Sequence, residues 1–236
     1  MIAQPWKVNI FTLFPEMFPG SLGSGLSKKS LEQNIWAYQC INYRDYALDK
    51  HKTVDDVPYG GGAGMVIRPD VIGRAIENNI TPDMPIYYLS HRGQRFHMDL
   101  AQTLVSQKEV NLVCGRYEGL EQRAIDCYQM KEISVGDYIL SGGELAAQIV
   151  MDTCIRLLPN SIGNEKTHEE ESFVNSLLEY SHYTRPKTWK NMQVPEVLLS
   201  GHHKNIKQWR LDASEKITKA RRADLWDKYK KDQIGE

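Results

Sequence analysis

Cysteine is scarce in this sequence, with four in 236 residues. Cys40, Cys114, Cys127 and Cys154 stand far apart, with no Cys-X-X-Cys pair and no His-rich ligand run. Neither a disulfide framework nor a zinc site is indicated, and a reducing cytosol is the expected setting. Long apolar runs are missing too. Met1 to Phe14 carries one lysine and a short apolar stretch broken by Asn9 and ended by Pro15, which suits neither a signal peptide nor a membrane span. The formal net charge is only −1, so no global excess of cations announces a nucleic-acid binder. The run Val57 to Met65 has the glycine density of a phosphate cradle but lacks the Gly-Lys-Ser/Thr ending that grips phosphate and magnesium. A doubly wound nucleotide-binding domain would place its glycine loop directly after the first strand, and here Thr12-Leu-Phe-Pro-Glu-Met-Phe18 follows instead.

What is present is length enough for one large domain and a small one, with a core that needs no staples. Lys7 to Phe14 reads as a buried first strand, Ser27 to Gln33 as a short helix and Ile35 to Ile41 as a second strand. Arg68 to Asn78 reads as an amphipathic helix opened by Pro69. Pro85 to Ser90, a helix over Met98 to Ser106 and a strand over Val110 to Cys114 follow, with His91 to Arg95 as the loop after the first of these strands. That alternation predicts an α/β fold with a largely parallel sheet and helices on both faces. Glu144 to Leu157 reads as another helix. Asn160 to Glu171 is a polar, acidic linker, so the expected division is a first domain over 1–159, a linker over 160–172 and a small helical domain over 173–236. Within the last, Phe173 to Leu178 reads as a short helix and Asp212 to Lys230 as a long one. Bases outnumber acids there between Gly201 and Lys231, which fits either a solvated helix face or a grip on phosphate.

Two glycine turns follow apolar runs: Cys114-Gly-Arg-Tyr-Glu-Gly119, and Val135-Gly-Asp-Tyr-Ile-Leu-Ser-Gly-Gly-Glu-Leu145. Gly142 and Gly143 are expected to allow positive φ and close approach of a ligand to the main chain. The structural alternative is a tight strand-to-helix connection. Strand ends at Ser90, Gly115 and Val135 to Leu140 would lie side by side at the edge where open α/β sheets bind ligands.

Together with Pro58-Tyr-Gly-Gly-Gly62, His182-Tyr-Thr-Arg-Pro186 and Ser200-Gly-His202, these turns resemble the bacterial tRNA (guanine-N1)-methyltransferase family of the knotted SPOUT class, along essentially the whole chain. The resemblance implies a deep trefoil knot and a homodimer. It implies S-adenosylmethionine held by main-chain groups of Tyr88, Leu89, Ser90, Gly115, Val135, Gly136, Asp137, Tyr138, Ile139 and Leu140, with Tyr117, Gly142 and Gly143 closing the pocket. Glu118 would help place the donor or hold a magnesium ion. Tyr59, Gly60 and Gly61 would wall the guanine site, and His182, Arg185 and His202 would meet RNA. The implied target is guanosine 37 of the tRNA anticodon loop, preceded by guanosine 36, in the cytoplasm with no membrane partner. Three positions depart from the family pattern: Ala63 and Ala146 replace prolines, and Glu171 replaces an aspartate.

Methylation at guanine N1 needs a base to remove the N1 proton, and a cation or donor near O6, where charge builds. The resemblance assigns the base to Glu171, with Glu170 as the alternative register, and the cation to Arg156. Glutamate keeps the carboxylate on a side chain one methylene longer. Two other readings stand beside this one. A silent relative would bind donor and tRNA without turnover, and a nucleotide hydrolase would be built on Gly60 to Gly64.

Overall fold

The computed structural model describes residues 4–82, 84–161 and 172–234. They form two units, Met1–Gly163 and Asn164–Glu236. The first holds a five-stranded sheet built from β1 (Trp6–Thr12), β2 (Trp36–Asn42), β5 (Ile86–Arg95), β6 (Glu109–Cys114) and β7 (Lys131–Ser134). Their order is β2-β1-β6-β5-β7, and every pairing is parallel. Two-residue strands β3 (Asp55–Asp56) and β4 (Val66–Ile67) form a separate antiparallel ladder. All the strand ends therefore point one way, and the connections that follow them share one edge.

Alternation along β1 sends Trp6, Val8 and Ile10 to one face and Phe11 to the other, so each face needs its own cover. On the first face lie α1 (Gly25–Glu32), α3 (Met98–Val105) and α5 (Gly143–Leu157), the last burying Ala147, Val150, Met151, Cys154 and Ile155. On the second lie α2 (Pro69–Asn79) and α4 (Gln122–Cys127), contributing Val71, Ile72, Ala75, Ala124 and Ile125. Proline at the first position of α2 suits a site with no intrahelical acceptor for an N–H.

The expected strand at Pro85 to Ser90 runs further than the sequence suggests. Leu89 and Gln94 both face Ile133 of β7, so the residues between them loop out while the ladder resumes at Arg95 with Ser134. Extra residues fit here because β7 is a short edge strand with nothing paired beyond it. Helix α4 was not anticipated.

The second unit places its helices differently from the sequence expectation. Val174–Ser176 forms a 3-10 turn, and Phe173, Asn175 and Ser176 have positive φ, so no regular helix runs from Phe173 to Leu178. A hairpin of β8 (Thr188–Trp189) and β9 (Met192–Gln193) follows. The expected long helix is two, α6 (His203–Arg221) and α7 (Ala223–Ile234), broken at Arg222, whose φ of −137° and ψ of 76° end α6. The Arg222 guanidinium clasps the Asp224 carboxylate at 2.8 and 2.6 Å and holds its pKa down to about 2, anchoring an acid in the first turn of α7.

Leu112 is fully buried in the central strand β6. Leu112→Ala should cost about 2–5 kcal/mol through lost burial and a residual cavity. A lower urea midpoint at unchanged slope would register it, and an unchanged midpoint would place Leu112 outside the cooperative core.

Candidate active site

The strand ends of β5, β6 and β7 open into a cleft of about 370 Å³, within the range of about 300–1,000 Å³ for small-molecule sites. Its wall is built from Tyr88 to His91 of β5 and from the connections after β6 and β7, and is rich in glycine. The β6 connection makes a turn in which the Gly119 N–H donates to the Arg116 carbonyl at 2.9 Å. Gly119 has φ of 103°, open to glycine and costly for other residues. The Leu120 N–H donates to the Tyr88 hydroxyl, which lies so close that a Cβ at Gly115 would stand 2.8 Å away and one at Gly119 2.6 Å. Tyr117, at φ 56°, is a non-glycine residue in the left-handed region and holds its half-exposed ring at the rim.

The second turn, between β7 and α5, is fastened to the first. The Gly143 N–H donates to the Gly115 carbonyl at 2.9 Å, and Arg116 and Gly142 form an isolated antiparallel bridge. The expectation that this pair supplies positive φ is corrected. Gly142 sits at φ 176°, ordinary extended backbone, and Gly143 opens α5. Their role is room: a Cβ on Gly143 would meet the Cys114 Cα at 2.8 Å, and one on Gly142 would strike the Arg116 guanidinium.

Beneath the turns lies a buried charge pair that sequence reasoning missed. The Glu144 side chain is 1% exposed, and its Oε2 stands 2.9 Å from Arg116 Nε. The approach is too bent for a hydrogen bond, so the contact is Coulombic. The Thr12 hydroxyl donates to Glu144 Oε1 at 2.8 Å, and the Arg116 guanidinium lies over the Phe14 ring. The end of β1, the first glycine turn and the first turn of α5 are thus tied at one carboxylate. Glu144 also places negative charge at the positive end of α5.

A second, contiguous cleft of about 790 Å³ shares Tyr88, Ser90, His91 and Glu118 with the first. Its far wall includes Val57, Pro58 and a fully exposed Tyr59. The glycine-rich segment before β4 docks against the first turn: the Glu118 N–H donates to the Met65 carbonyl at 3.0 Å and the Ile67 N–H to that of Gly119 at 2.9 Å.

Of the residues expected at a donor site, Tyr88, Leu89, Ser90, Gly115, Tyr117, Glu118, Val135, Gly136, Tyr138, Ile139, Leu140, Gly142 and Gly143 all line the first cleft. Asp137 does not; its carboxylate points to water and pairs with Arg95 at 2.9 Å. Gly60 and Gly61 lie outside both linings, although Tyr59 is in the second. Arg156 is not brought to the cleft by this chain, because it lies in the last turn of α5, about 20 Å along the axis from Gly143 at 1.5 Å per residue. Glu170 and Glu171 lie outside the described residues. His182, Arg185 and His202 belong to the second unit, where His182 Nε2 meets Glu179 Oε1 at 2.8 Å.

Nucleophilic thiol chemistry has little to work with. Burial pushes the Cys40 thiol up to about 11 and Cys154 up to about 12. Burial, then the nearby Glu144 carboxylate, holds Cys114 well above the usual thiol range. Among the described residues, no group of three His, Cys, Asp or Glu could hold a metal ion, and no helix is long and apolar enough to cross a membrane.

The family model described as tRNA (Guanine-1)-methyltransferase TrmD matches residues 6–228. The chain belongs to that family. Curated relatives named tRNA (guanine-N(1)-)-methyltransferase include one from Pelagibacter ubique, 49% identical over 96% of this chain and 99% of its own length. Another, from Rhodospirillum rubrum, is 50% identical over 94% of this chain and 93% of its own. One from Wolbachia pipientis subsp. Culex pipiens is 51% identical over 93% and 97%. For this member of the tRNA (guanine-1)-methyltransferase family, the matched span takes in both clefts and most of the second unit.

Removing Glu144 would strand the Arg116 charge among buried groups. Glu144→Ala should destabilise the chain by about 3–5 kcal/mol, and Glu144→Gln, which keeps an acceptor for Thr12, by less. Equal chemical-denaturation midpoints for wild type and Glu144→Ala would contradict this account.

Proposed function

We propose that this chain methylates N1 of guanosine in tRNA with S-adenosylmethionine as donor, in the cytoplasm, at guanosine 37 preceded by guanosine 36. The observation that carries the donor assignment is the first cleft. Gly115, Gly136, Gly142 and Gly143, which carry no side chain, stand beside apolar Leu89, Ile133, Val135, Leu140 and Ala146, suited to a nucleoside, and Glu118 is the one carboxylate in the lining. That donor, when bound, supplies an electrophilic methyl group on a sulfonium. Glu118 favours a cation beside it electrostatically, and the same carboxylate is the group available to a magnesium ion. The acceptor purine takes the second cleft, between Tyr59 and the shared wall of Tyr88, Ser90 and His91. No cysteine lines either cleft, so transfer goes directly from donor to N1.

The N1 proton is taken by Glu171, and charge on O6 is met by Arg156. A single chain keeps Arg156 about 15 Å along α5 from Ala146, the last α5 residue lining the cleft, which supports a homodimer whose sites draw on both chains. Leu145 and Ile149, one turn apart on α5, expose apolar side chains that a second copy would cover. The knotted SPOUT arrangement fits the fastening of the β7 connection over that of β6. We further assign 1–159 to catalysis, 160–172 to a linker carrying the base, and 173–236, with His182, Arg185 and His202, to tRNA.

Incubation with unmodified tRNA and the donor should yield 1-methylguanosine at position 37; tight binding of both without product would instead mark a silent relative. Glu171→Gln should lower turnover by about 10²–10⁴-fold with donor affinity unchanged, and an unaltered rate would remove Glu171 from the mechanism. Ile149→Asp should sediment as monomer, and a persisting dimer would move the interface elsewhere.

A further inference from the structure

The hairpin of the second unit presents an aromatic ring to water where packing alone gives little reason for it. Trp189 is 58% exposed, and Met192, its cross-strand partner, is 60% exposed. The pair leaves most of its apolar surface wet, so it stabilises its own two-residue strands only weakly. It is also held in a fixed pose. Lys190 and Asn191 have φ of 48° and 61°, the two-residue turn that matches strand twist, and the Val194 N–H donates to the Lys187 carbonyl at 3.0 Å below it. Among the described residues Trp189 is the exposed tryptophan of the chain.

The sequence around it carries charge of one sign. Between Glu179 and Glu196 the sequence carries no acid, while Arg185, Lys187 and Lys190 supply cations, and residues 181–193 are exposed throughout. Among the described residues no carboxylate pairs with any of those three cations. Lys190 Nζ lies 4.9 Å from the Trp189 ring centre, so a charge sits beside the ring. An exposed ring flanked by unpaired cations and free of acids is the chemistry of a base-stacking platform with phosphate contacts at its edge. A protein partner of matching area would more often meet a mixed-charge rim around an apolar centre.

We propose that the Trp189 hairpin is an RNA-docking element in which the Trp189 ring stacks on an unpaired base of the tRNA substrate while Lys187 and Lys190 hold adjacent phosphates. The proposal rests on the tRNA reading above and adds a contact to it. Stacking does not discriminate among bases, so this contact adds affinity for every substrate tRNA alike.

The test uses the full-length chain and unmodified tRNA, with binding and methylation both measured. Trp189→Ala should weaken tRNA binding by between about 5-fold and about 100-fold, with the loss in KM for tRNA, the salt slope unchanged, and most affinity kept by Trp189→Phe. Lys187→Ala with Lys190→Ala should instead reduce the slope of log affinity against log salt by about 0.7 per phosphate released. The emission of Trp189, taken as the difference between wild type and Trp189→Phe, should be quenched by tRNA, a readout that does not depend on Trp189→Ala folding. Unquenched emission, or equal affinity for wild type and Trp189→Ala, would overturn the proposal and leave the face to a protein partner. Failure of the wild type to form 1-methylguanosine would instead count against the functional reading.

Discussion

The cleft exists because two backbone turns can come within one hydrogen bond of each other. Gly143 N–H meets the Gly115 carbonyl at 2.9 Å, with the Arg116–Gly142 bridge beside it. Side chains at 142 or 143 would hold the turns apart, since the space their Cβ atoms need is filled by Arg116 and by the Cys114 backbone. Bringing turns together also concentrates unpaired peptide dipoles, and something must fix their relative placement. The buried Glu144 does this, tied to Thr12 on β1 and Arg116 on the first turn. A buried ion pair is weak evidence of net stability, but breaking one is costly, which makes it suited to enforcing one arrangement.

Hydrophobic pattern carried most of the sheet into the sequence. β1, β2 and β6 are short apolar runs, and α2 and α5 have clear helical spacing, so their limits are legible within a residue or two. The extension of β5 to Arg95 was not legible. Ser90 to Gly93 has no strand character, and only the shared partner Ile133 reveals that pairing resumes after it. That excursion matters, because it carries Ser90 and His91 into the wall shared by the two clefts. α4 is a six-residue helix, too short for periodicity to distinguish it from a turn. In the second unit, composition favours helix through Arg222, and the break there comes from a bond to Asp224 that no propensity scale contains.

The site was legible as a set of turns and less so as a set of side chains. Glycine spacing pointed to Gly115 and Gly143 because close backbone approach leaves a mark on sequence: only one residue type fits. Glu144 left no such mark. An acid at the start of a helix is ordinary, and its partner Arg116 lies far away in sequence, so only three-dimensional proximity reveals the pair. Asp137 shows the converse: a residue inside a glycine motif need not send its side chain into the pocket, and its carboxylate pairs with Arg95 in water.

On the proposed reading, α5 is the reason a second copy is needed. Its first turn is pinned under the donor cleft by Glu144, and its last carries Arg156. Fifteen residues of regular helix, buried along Ala147, Val150, Met151, Cys154 and Ile155, leave no hinge that could bring the two ends together. On the proposed reading, Arg156 meets the charge on O6 from a second copy. The same helix exposes Leu145 and Ile149 beside its start. Covering them with a partner's α5 region would bury apolar surface and deliver the missing arginine in a single association step. On that proposal assembly and catalysis are one property of the helix, and a monomer would keep the first cleft without Arg156 beside it.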